Sequence, residues 1–291
     1  MAIPGGLHAA PRSLSALMRA TRDPQPERWR KTSEQEVSNR GWTEECQGVT
    51  HDTRHWFFSS NRNPIVGAPR RGIHRLSSGL RERGFFGVDF TGHEHIGDID
   101  HHDGRIYAAM ERPPGILWVD TAFSRHGRAT LKDHRGSVPS PQGGSLPWCA
   151  INPWNGWLYS SRFGDADQPA IGEVFAYDPD DDFRHVATLG LGQGLKRIQG
   201  GCFTPNGHLL LTSDHTYDIH CYSVLNGAHR GRVGIQVDTG DGEEVEGITV
   251  RRGVRTDGVD SEVHVVLLDN DFPSGDDVYF KHYSVPRAED L

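Results

Sequence analysis

Residues 95–111 carry the clearest hairpin signal in the chain and read His-Ile-Gly-Asp-Ile-Asp-His-His-Asp-Gly-Arg-Ile-Tyr-Ala-Ala-Met-Glu. A first run of alternating residues ends in a polar turn with Asp103 and Gly104 at its tip, and a second run follows. Two such runs joined by Asp-Gly are typical of a β-hairpin. The segment therefore predicts two antiparallel strands.

Similar segments recur along the chain, near residues 45–60, 147–161, 199–214 and 244–269. When the five copies are aligned on Gly48, Asp98, Ala150, Cys202 and Gly247, the spacings are 50, 52, 52 and 45 residues. A period of about fifty residues with several short strands per unit is typical of a β-propeller blade. The sequence thus predicts an all-β fold, a five-bladed β-propeller with four-stranded blades.

The other strands of each unit can also be assigned from the apolar pattern. Third strands are expected at residues 72–76, 116–120, 173–178, 218–224 and 278–285, and fourth strands at 84–89, 129–132, 185–189 and 232–237. The glycine-rich run 190–194 is expected to be a loop at the channel rim. Because the last unit has no fourth strand after it, we expect a strand within residues 29–37 to pair with 279–285. This pairing closes the ring and removes an open sheet edge.

The chain of 291 residues is expected to form one propeller domain over residues 25–291, after an N-terminal extension over residues 1–24. Its 35 Gly and 17 Pro, with only 35% hydrophobic residues, suit a turn-rich fold with a thin, distributed core. In the extension, Leu14, Leu17 and Met18 have helical spacing and indicate a short helix over residues 13–22.

Targeting and charge exclude several classes of protein. The extension lacks the 7–15-residue apolar region of a secretory signal, and no stretch approaches the ~20 apolar residues of a membrane span. A cytoplasmic protein without membrane contact is expected. The formal net charge of −8 argues against nucleic-acid binding. We expect a monomer or weak oligomer with a small-molecule substrate.

The four cysteines indicate neither zinc nor a disulfide framework. Cys46, Cys149 and Cys202 lie at or beside first strands, Cys221 lies in a third strand, and no C-x-x-C motif is present. Buried thiols near the axis are expected, and a disulfide between neighbouring first strands remains open.

Function in a propeller is expected where loops meet the central channel. By the predicted strand order, one face carries the segments that enter first strands and leave second strands. The entering residues are Glu45, Gln47, His95, Asp98, Trp148, Gln199, Glu244 and Glu246. The leaving residues include Arg62, Glu111, Arg112, Arg162, Asp214 and His215. The opposite face, with His51, His55, His101 and His102, is expected to matter less.

Up to four carboxylates meet at the predicted channel mouth: Glu45, Asp98, Glu244 and Glu246. Such groups must be protonated, paired with cations or arranged around a metal ion. Oxygen ligands from several strands suit calcium. His95 and His215 with carboxylates could instead form a transition-metal site. A third possibility is a salt-bridge ring with the arginines of the same face, Arg62, Arg112 and Arg162.

Two runs resemble units of known propeller families. Residues 149–159, Cys-Ala-Ile-Asn-Pro-Trp-Asn-Gly-Trp-Leu-Tyr, and 246–248, Glu-Gly-Ile, look like units of gluconolactonase-like, paraoxonase-like and strictosidine-synthase-like propellers. The first two families hold an axial calcium with acidic and amide side chains and hydrolyse lactones or phosphate esters. The resemblance implies Gln47, Asp98 and Glu246 as calcium ligands. Five-bladed architectures also include nucleotidases, furanosidases and a lectin, so the fold selects no substrate.

Two enzymatic hypotheses follow. In the first, a metal-centred hydrolase, Glu45, Gln47, Asp98 and Glu246 hold the ion and His95 or His215 moves the proton. In the second, a metal-free cyclase, lyase or condensing enzyme, Glu45, Asp98 or Glu111 acts as acid or base. The residues expected to contact substrate are Arg62, Arg112, Trp148, Arg162, Gln199 and Asp214.

The third hypothesis is a non-catalytic binding module, such as a lectin or scaffold. A multivalent lectin would repeat its pocket in every unit, whereas the entering residues differ among the units. They are Glu45, His95, Pro147, Gln199 and Glu244. This difference favours one composite site at the channel.

Overall fold

The computed structural model describes residues 22–38, 40–61, 71–88, 94–121, 136–137, 141–237, 242–256, 258–269, 275–287 and 291. These residues form five antiparallel four-stranded sheets and one short 3-10 turn, Pro26–Arg28. The five-bladed β-propeller predicted from the repeat is therefore confirmed. The helix predicted over residues 13–22 lies, except for Arg22, outside the described residues.

Each of the first four blades takes its strands consecutively from the chain. The strands of the first two blades are β2 (Cys46–His51), β3 (Trp56–Ser60), β4 (Gly72–Leu76), β5 (Glu82–Gly87), β6 (Ile96–His102), β7 (Arg105–Met110), β8 (Gly115–Asp120) and β9 (Gly136–Ser137). Those of the next two are β10 (Ala150–Ile151), β11 (Leu158–Ser160), β12 (Ile171–Asp178), β13 (Arg184–Leu195), β14 (Ile198–Phe203), β15 (His208–Ser213), β16 (Asp218–Ser223) and β17 (His229–Gly234).

The fifth blade joins the two ends of the described chain. It contains β18 (Glu243–Thr256), β19 (Val259–Asp269), β20 (Asp277–Ser284) and β1 (Arg30–Val37). Strand β1 pairs antiparallel with β20 over its whole length, from Arg30 opposite Ser284 to Val37 opposite Val278. The closing strand predicted within residues 29–37 is thus confirmed. In this pairing the buried Lys281 forms an ion pair with Glu34, with 2.9 Å between Nζ and Oε2.

Two outer strands differ from the predicted pattern. The fourth strand predicted at 129–132 lies outside the described residues, and the short β9 pairs with β8 at that edge instead. The glycine-rich run 190–194 is part of β13 and not a rim loop, because it continues pairing with β12 as far as Leu195 opposite Ile171. Gly192 also donates its N–H to the carbonyl of Gly227, which ties this strand to the next blade.

The core is divided among the interfaces between neighbouring blades. Five buried apolar clusters lie one in each gap, as the side chains of adjacent sheets interdigitate. The gap between the fifth and first blades, for example, contains Phe58 and Phe280 with ring centroids 5.2 Å apart. This arrangement is the thin, distributed core that the composition predicts.

The cysteines and the membrane prediction can be compared directly with the structure. Cys46, Cys149, Cys202 and Cys221 are all buried free thiols, as expected, and none forms a disulfide with another. Among the described residues there is no helix with the length and apolar character needed to cross a membrane.

Candidate functional site

Asp98 lies on the propeller axis, where the first strands converge. Its Oδ1 accepts the backbone N–H groups of Val49 and Ile99 at 3.0 and 2.9 Å, and its Oδ2 accepts those of Gly201 and Ile248 at 3.0 and 3.3 Å. These donors belong to four different blades. Asp98 is fully buried, so one carboxylate joins four first strands and closes the channel.

Three strands approach Asp98 so closely that each has a glycine at the point of contact. A Cβ on Gly48 would lie 2.6 Å from the Asp98 Cα, and one on Gly247 would lie 2.5 Å from its Oδ1. A Cβ on Gly200 would lie 2.9 Å from Oδ2. Gly200, and not Cys202, therefore occupies the position that aligns with Gly48 and Gly247. The alignment of the fourth repeat on Cys202 was wrong by two residues.

The ionised form of Asp98 is the one that this geometry accommodates. Burial raises the pKa of Asp98 well above its usual value, while the four N–H groups act in the opposite direction. A protonated carboxyl would direct its O–H towards groups that are themselves donors. We therefore treat Asp98 as an anion held by main-chain dipoles.

Glu246, which precedes the axial Gly247, lies at the mouth of the channel on the face of the predicted site. Like Asp98, it is buried. Its Oε1 accepts the side-chain amides of Gln47 and Gln199, each at 3.3 Å. Its Oε2 is buried without a hydrogen-bond partner in the described part of the chain. Burial raises the pKa of Glu246 well above its usual value, and the carboxylates of Glu244 and Asp214 raise it further. A neutral carboxyl group is the form that such surroundings favour.

An open cavity of about 520 Å³ lies on this face, above Gln47 and Gln199. Its described lining combines acidic, cationic and amide side chains: Glu45, Gln47, His95, Glu111, Arg112, Arg162, Asp165, Gln168, Gln199 and Glu244. Eight of the residues selected from sequence are thus brought together here: Glu45, Gln47, His95, Glu111, Arg112, Arg162, Gln199 and Glu244. That this cavity is the functional site stays a prediction.

Among the carboxyl groups that line the cavity, Glu45 has the clearest pKa shift. Burial raises its pKa, the nearby carboxylate of Asp276 raises it further, and His95 lowers it. The backbone of Glu45 has a left-handed conformation with φ of 48°, and its N–H donates to Asp276 Oδ2 at 2.7 Å. Asp276 therefore both fixes the turn that carries Glu45 and keeps its carboxyl group more protonated.

His95 and Glu111 form a close pair across the first two strands of the second blade. The distance from His95 Nδ1 to Glu111 Oε1 is 3.0 Å, and both side chains are mostly buried. Their backbones are also paired, since the Glu111 N–H donates to the His95 carbonyl at 3.0 Å. Nδ1 faces this carboxylate, although the contact lacks hydrogen-bond geometry. Nε2 is then the ring nitrogen available to exchange a proton with a ligand.

Several residues predicted for the site lie elsewhere. His215 is exposed on the turn after β15, and Asp214 forms an ion pair with Arg197 at 3.0 Å. Trp148 is fully buried in the gap between the third and fourth blades and donates its indole N–H to Ser161 Oγ. None of these three is in the described lining of the cavity. Arg62 lies outside the described residues.

The predicted calcium ligands do not present a common set of free oxygens. Both oxygens of Asp98 face N–H groups, which are donors and do not coordinate a cation. No group of three or more His, Cys, Asp or Glu side chains with metal-binding geometry is found in the described residues. These positions do not fit calcium around Asp98, and a metal elsewhere in the cavity stays a prediction.

Sequence reasoning missed the supports of the site. Asp276 precedes a third strand and has no counterpart in the other copies of the repeat, so periodicity gives no reason to select it. The roles of Gln47 and Gln199 had a signal, because each precedes an axial glycine, as Glu246 does. The recurring pair of Gln or Glu followed by Gly marks the three strands that contact Asp98 closely.

Solved structures share this fold. The crystal structure of glutaminyl cyclase from Myxococcus xanthus matches with a TM-score of 0.57 at 15% sequence identity, over 89% of this chain and 97% of that chain. The tail fibre of Staphylococcus aureus phage P68 matches with a TM-score of 0.53 at 15% identity, over 90% of this chain and 54% of that one. A streptogramin B lyase gives 0.46 at 12% identity, over 88% and 74%.

These likenesses confirm the class of the protein, a five-bladed β-propeller that resembles other propellers at the level of fold. At such identities a shared fold does not transfer a function, and the two structures with the higher TM-scores are a cyclase and a tail fibre. No protein-family model and no curated protein matches the sequence.

Proposed function

We propose that the cavity above Gln47 and Gln199 is the active site of an acid–base enzyme that acts on a small polar molecule. The reaction is a ring closure, a ring opening or an elimination. The observation that carries this proposal is the pairing of Glu45, whose pKa is raised, with the His95–Glu111 pair in one cavity. Two proton-transferring groups with different environments are what a general acid and a general base require.

The roles follow from the contacts. His95 accepts a proton from the substrate through Nε2, while the carboxylate of Glu111 stabilises the imidazolium that forms. Glu45, whose pKa is raised by burial and by the carboxylate of Asp276, donates a proton to the leaving or newly formed heteroatom. Gln47 and Gln199, held by Glu246, present polar groups at the cavity floor. Glu246 acts through these amides and is a positioning residue.

The lining also indicates the kind of substrate. Glu244 and Asp165 add negative charge to the cavity, while Arg112 and Arg162 are exposed cations on its wall. A molecule with both an amine and a carboxyl or carbonyl group matches this division of charge. The cyclase among the structures with the same fold is a reason to include glutaminyl peptides in the first substrate panel.

The experiment is a turnover screen by mass spectrometry over glutaminyl peptides, lactones and phosphate esters, with and without a chelator. For any compound converted, Glu45→Gln and His95→Gln should each lower kcat by about 100-fold or more, since general acid–base catalysis contributes roughly that factor. Glu173→Gln is the matched control, because it removes the same charge at an exposed position of β12.

Full activity in the chelated protein, with loss in the two cavity variants and none in the control, supports the proposal. Activity that disappears with chelator and returns with calcium contradicts it and supports the metal-centred hydrolase. A compound that binds in the cavity without being converted, in a protein that converts nothing in the panel, supports the binding module instead.

A further inference from the structure

A second cavity lies on the opposite face of the propeller, where β2 and β6 end. It has a volume of about 600 Å³ and lies between the long β18–β19 hairpin and the first blade. Three arginines and three histidines are in its described lining: Arg251, Arg252, Arg255, His51, His101 and His282. This concentration of basic groups is unexpected in a chain with a formal net charge of −8.

Asp52 is the one acidic side chain in the described lining of this cavity, and it also caps its own turn. Oδ1 accepts the N–H groups of Arg54 and His55, each at 2.6 Å, and Oδ2 lies 3.2 Å from His55 Nδ1. These contacts lower the pKa of Asp52. Asp52 therefore contributes one negative charge, which acts on Arg251 and His51. The three arginines of the described lining outnumber it, so the cavity keeps a net positive charge.

Arg251 is held in a fixed orientation at the cavity wall. Its guanidinium carbon lies 4.4 Å from the centroid of the Trp56 ring, and Nη2 donates to the Thr53 carbonyl at 3.3 Å. A guanidinium group has five N–H donors in a planar fork that matches carboxylate and phosphate oxygens. Stacking on Trp56 reduces the entropy that Arg251 would lose on binding such a group.

His51 adds a second, independent indication. Its Nδ1 lies 3.0 Å from the Asp52 carbonyl oxygen and its Nε2 lies 2.8 Å from the Val250 carbonyl oxygen. A neutral imidazole has only one N–H, so both contacts become hydrogen bonds only in the imidazolium form. Burial nevertheless lowers the pKa of His51, and Arg251 lowers it further. A bound anion would supply the missing negative charge.

We propose that this basic cavity binds a small soluble oxyanion, a molecule that carries a phosphate or carboxylate group, with Arg251 and Arg255 as its main contacts. The site is separate from the acidic cavity on the other face, because the two cavities have no lining residue in common. The protein thus has an acidic cavity on one face and a basic cavity on the other. The proposal does not depend on the function assigned to the acidic mouth.

The test is isothermal titration with sodium pyrophosphate and, separately, trisodium citrate, in phosphate-free buffer with 150 mM NaCl as an order-of-magnitude match to physiological ionic strength. Arg251→Gln and Arg255→Gln should each weaken binding by about tenfold, as expected for the loss of a charge-assisted hydrogen bond. Arg184→Gln is the matched control, because this exposed arginine pairs with Asp181 on a distant turn of the third blade.

Arg255 lies near the tip of the hairpin, where Nε donates to the Gly258 carbonyl, so its variant should fold even if Arg251→Gln alters packing on Trp56. Binding of pyrophosphate alone assigns a phosphate site, and equal binding of citrate assigns a general oxyanion site. Either result supports the proposal when the two cavity variants weaken it and the control does not. No binding of either anion, or equal weakening in Arg184→Gln, overturns it.

Discussion

Replacing Asp98 by Asn should destabilise the propeller strongly although the side chain keeps its size. The carboxylate accepts four backbone N–H groups, two on each oxygen. Asparagine offers one oxygen, so its NH2 group must face two of the donors. Each buried N–H that loses its acceptor costs about 1–3 kcal/mol, which gives an expected loss of about 2–6 kcal/mol. Domains of this kind have a total stability of about 5–15 kcal/mol.

The assay is urea unfolding at pH 7, followed by tryptophan fluorescence, for wild type and Asp98→Asn. Asp120→Asn, at the exposed end of β8, is the matched control and should change the free energy of unfolding by less than about 0.5 kcal/mol. A chelator should leave the wild-type curve unchanged. A loss below about 1 kcal/mol in Asp98→Asn would refute the reasoning, and a chelator effect that requires Asp98 would show that this residue holds a metal ion.

Two other predictions concern the axis. Burial raises the pKa of Asp100 from 3.8 to about 7, so its contribution to stability is complete below about pH 4 and is lost as the pH rises through 7. The Asp100→Asn variant should therefore lose up to about 4 kcal/mol less stability than the wild type between these pH values. Urea midpoints that fall equally in both proteins between pH 4 and pH 8 would contradict this prediction. Gly200→Ala places a Cβ 2.6 Å from the Glu246 carbonyl oxygen and 2.7 Å from Thr212 Oγ1, and should lower the free energy of unfolding by about 1–3 kcal/mol. Gly172→Ala, with nothing within 4 Å, is the control, and equal melting temperatures of the two variants would show that the axis is not tightly packed.

The strand order could be predicted because each blade repeats a local pattern. Turns with Asp-Gly or Asn-Gly and short apolar runs determine hairpins, and the period then orders them around a ring. The closing strand was also predictable, since a ring with one strand missing needs a partner for β20, and Arg30–Val37 supplies it. Edge strands were less predictable because they bury less surface. The glycines of β13 gave no strand signal, although backbone pairing holds them in the sheet.

The register at the axis could not be read from apolar periodicity alone. Cys202 was aligned with Gly48 because both lie in apolar first strands, but the axis demands a residue without a side chain beside Asp98. Gly200 meets this demand, two residues earlier. The relevant signal was steric and involves residues far apart in sequence, so it becomes interpretable only when Asp98 is known to occupy the centre.

The carboxylates at the channel were predicted to act together, but the structure places them at different depths along the propeller axis. Asp98 is surrounded by main-chain donors, Glu246 by side-chain amides, and Glu45 lies on the cavity wall. Sequence shows that four acids enter first strands, Glu45, Asp98, Glu244 and Glu246, but not which of them reaches the axis. That choice depends on how far each strand extends before the five strands meet, which is a property of the closed ring.

The asymmetry of the site follows from the closure of the axis. Four first strands direct N–H groups towards one point, and a single anion satisfies all four only if the neighbouring strands leave space for it. Gly48, Gly200 and Gly247 leave that space, so these strands cannot supply their own axial side chains. The residues that precede these glycines are therefore the polar groups directly above the closed axis: Gln47, Gln199 and Glu246. A cavity with one buried carboxyl group and two amides at its floor is the consequence, and the chemistry proposed for Glu45 and His95 takes place above it.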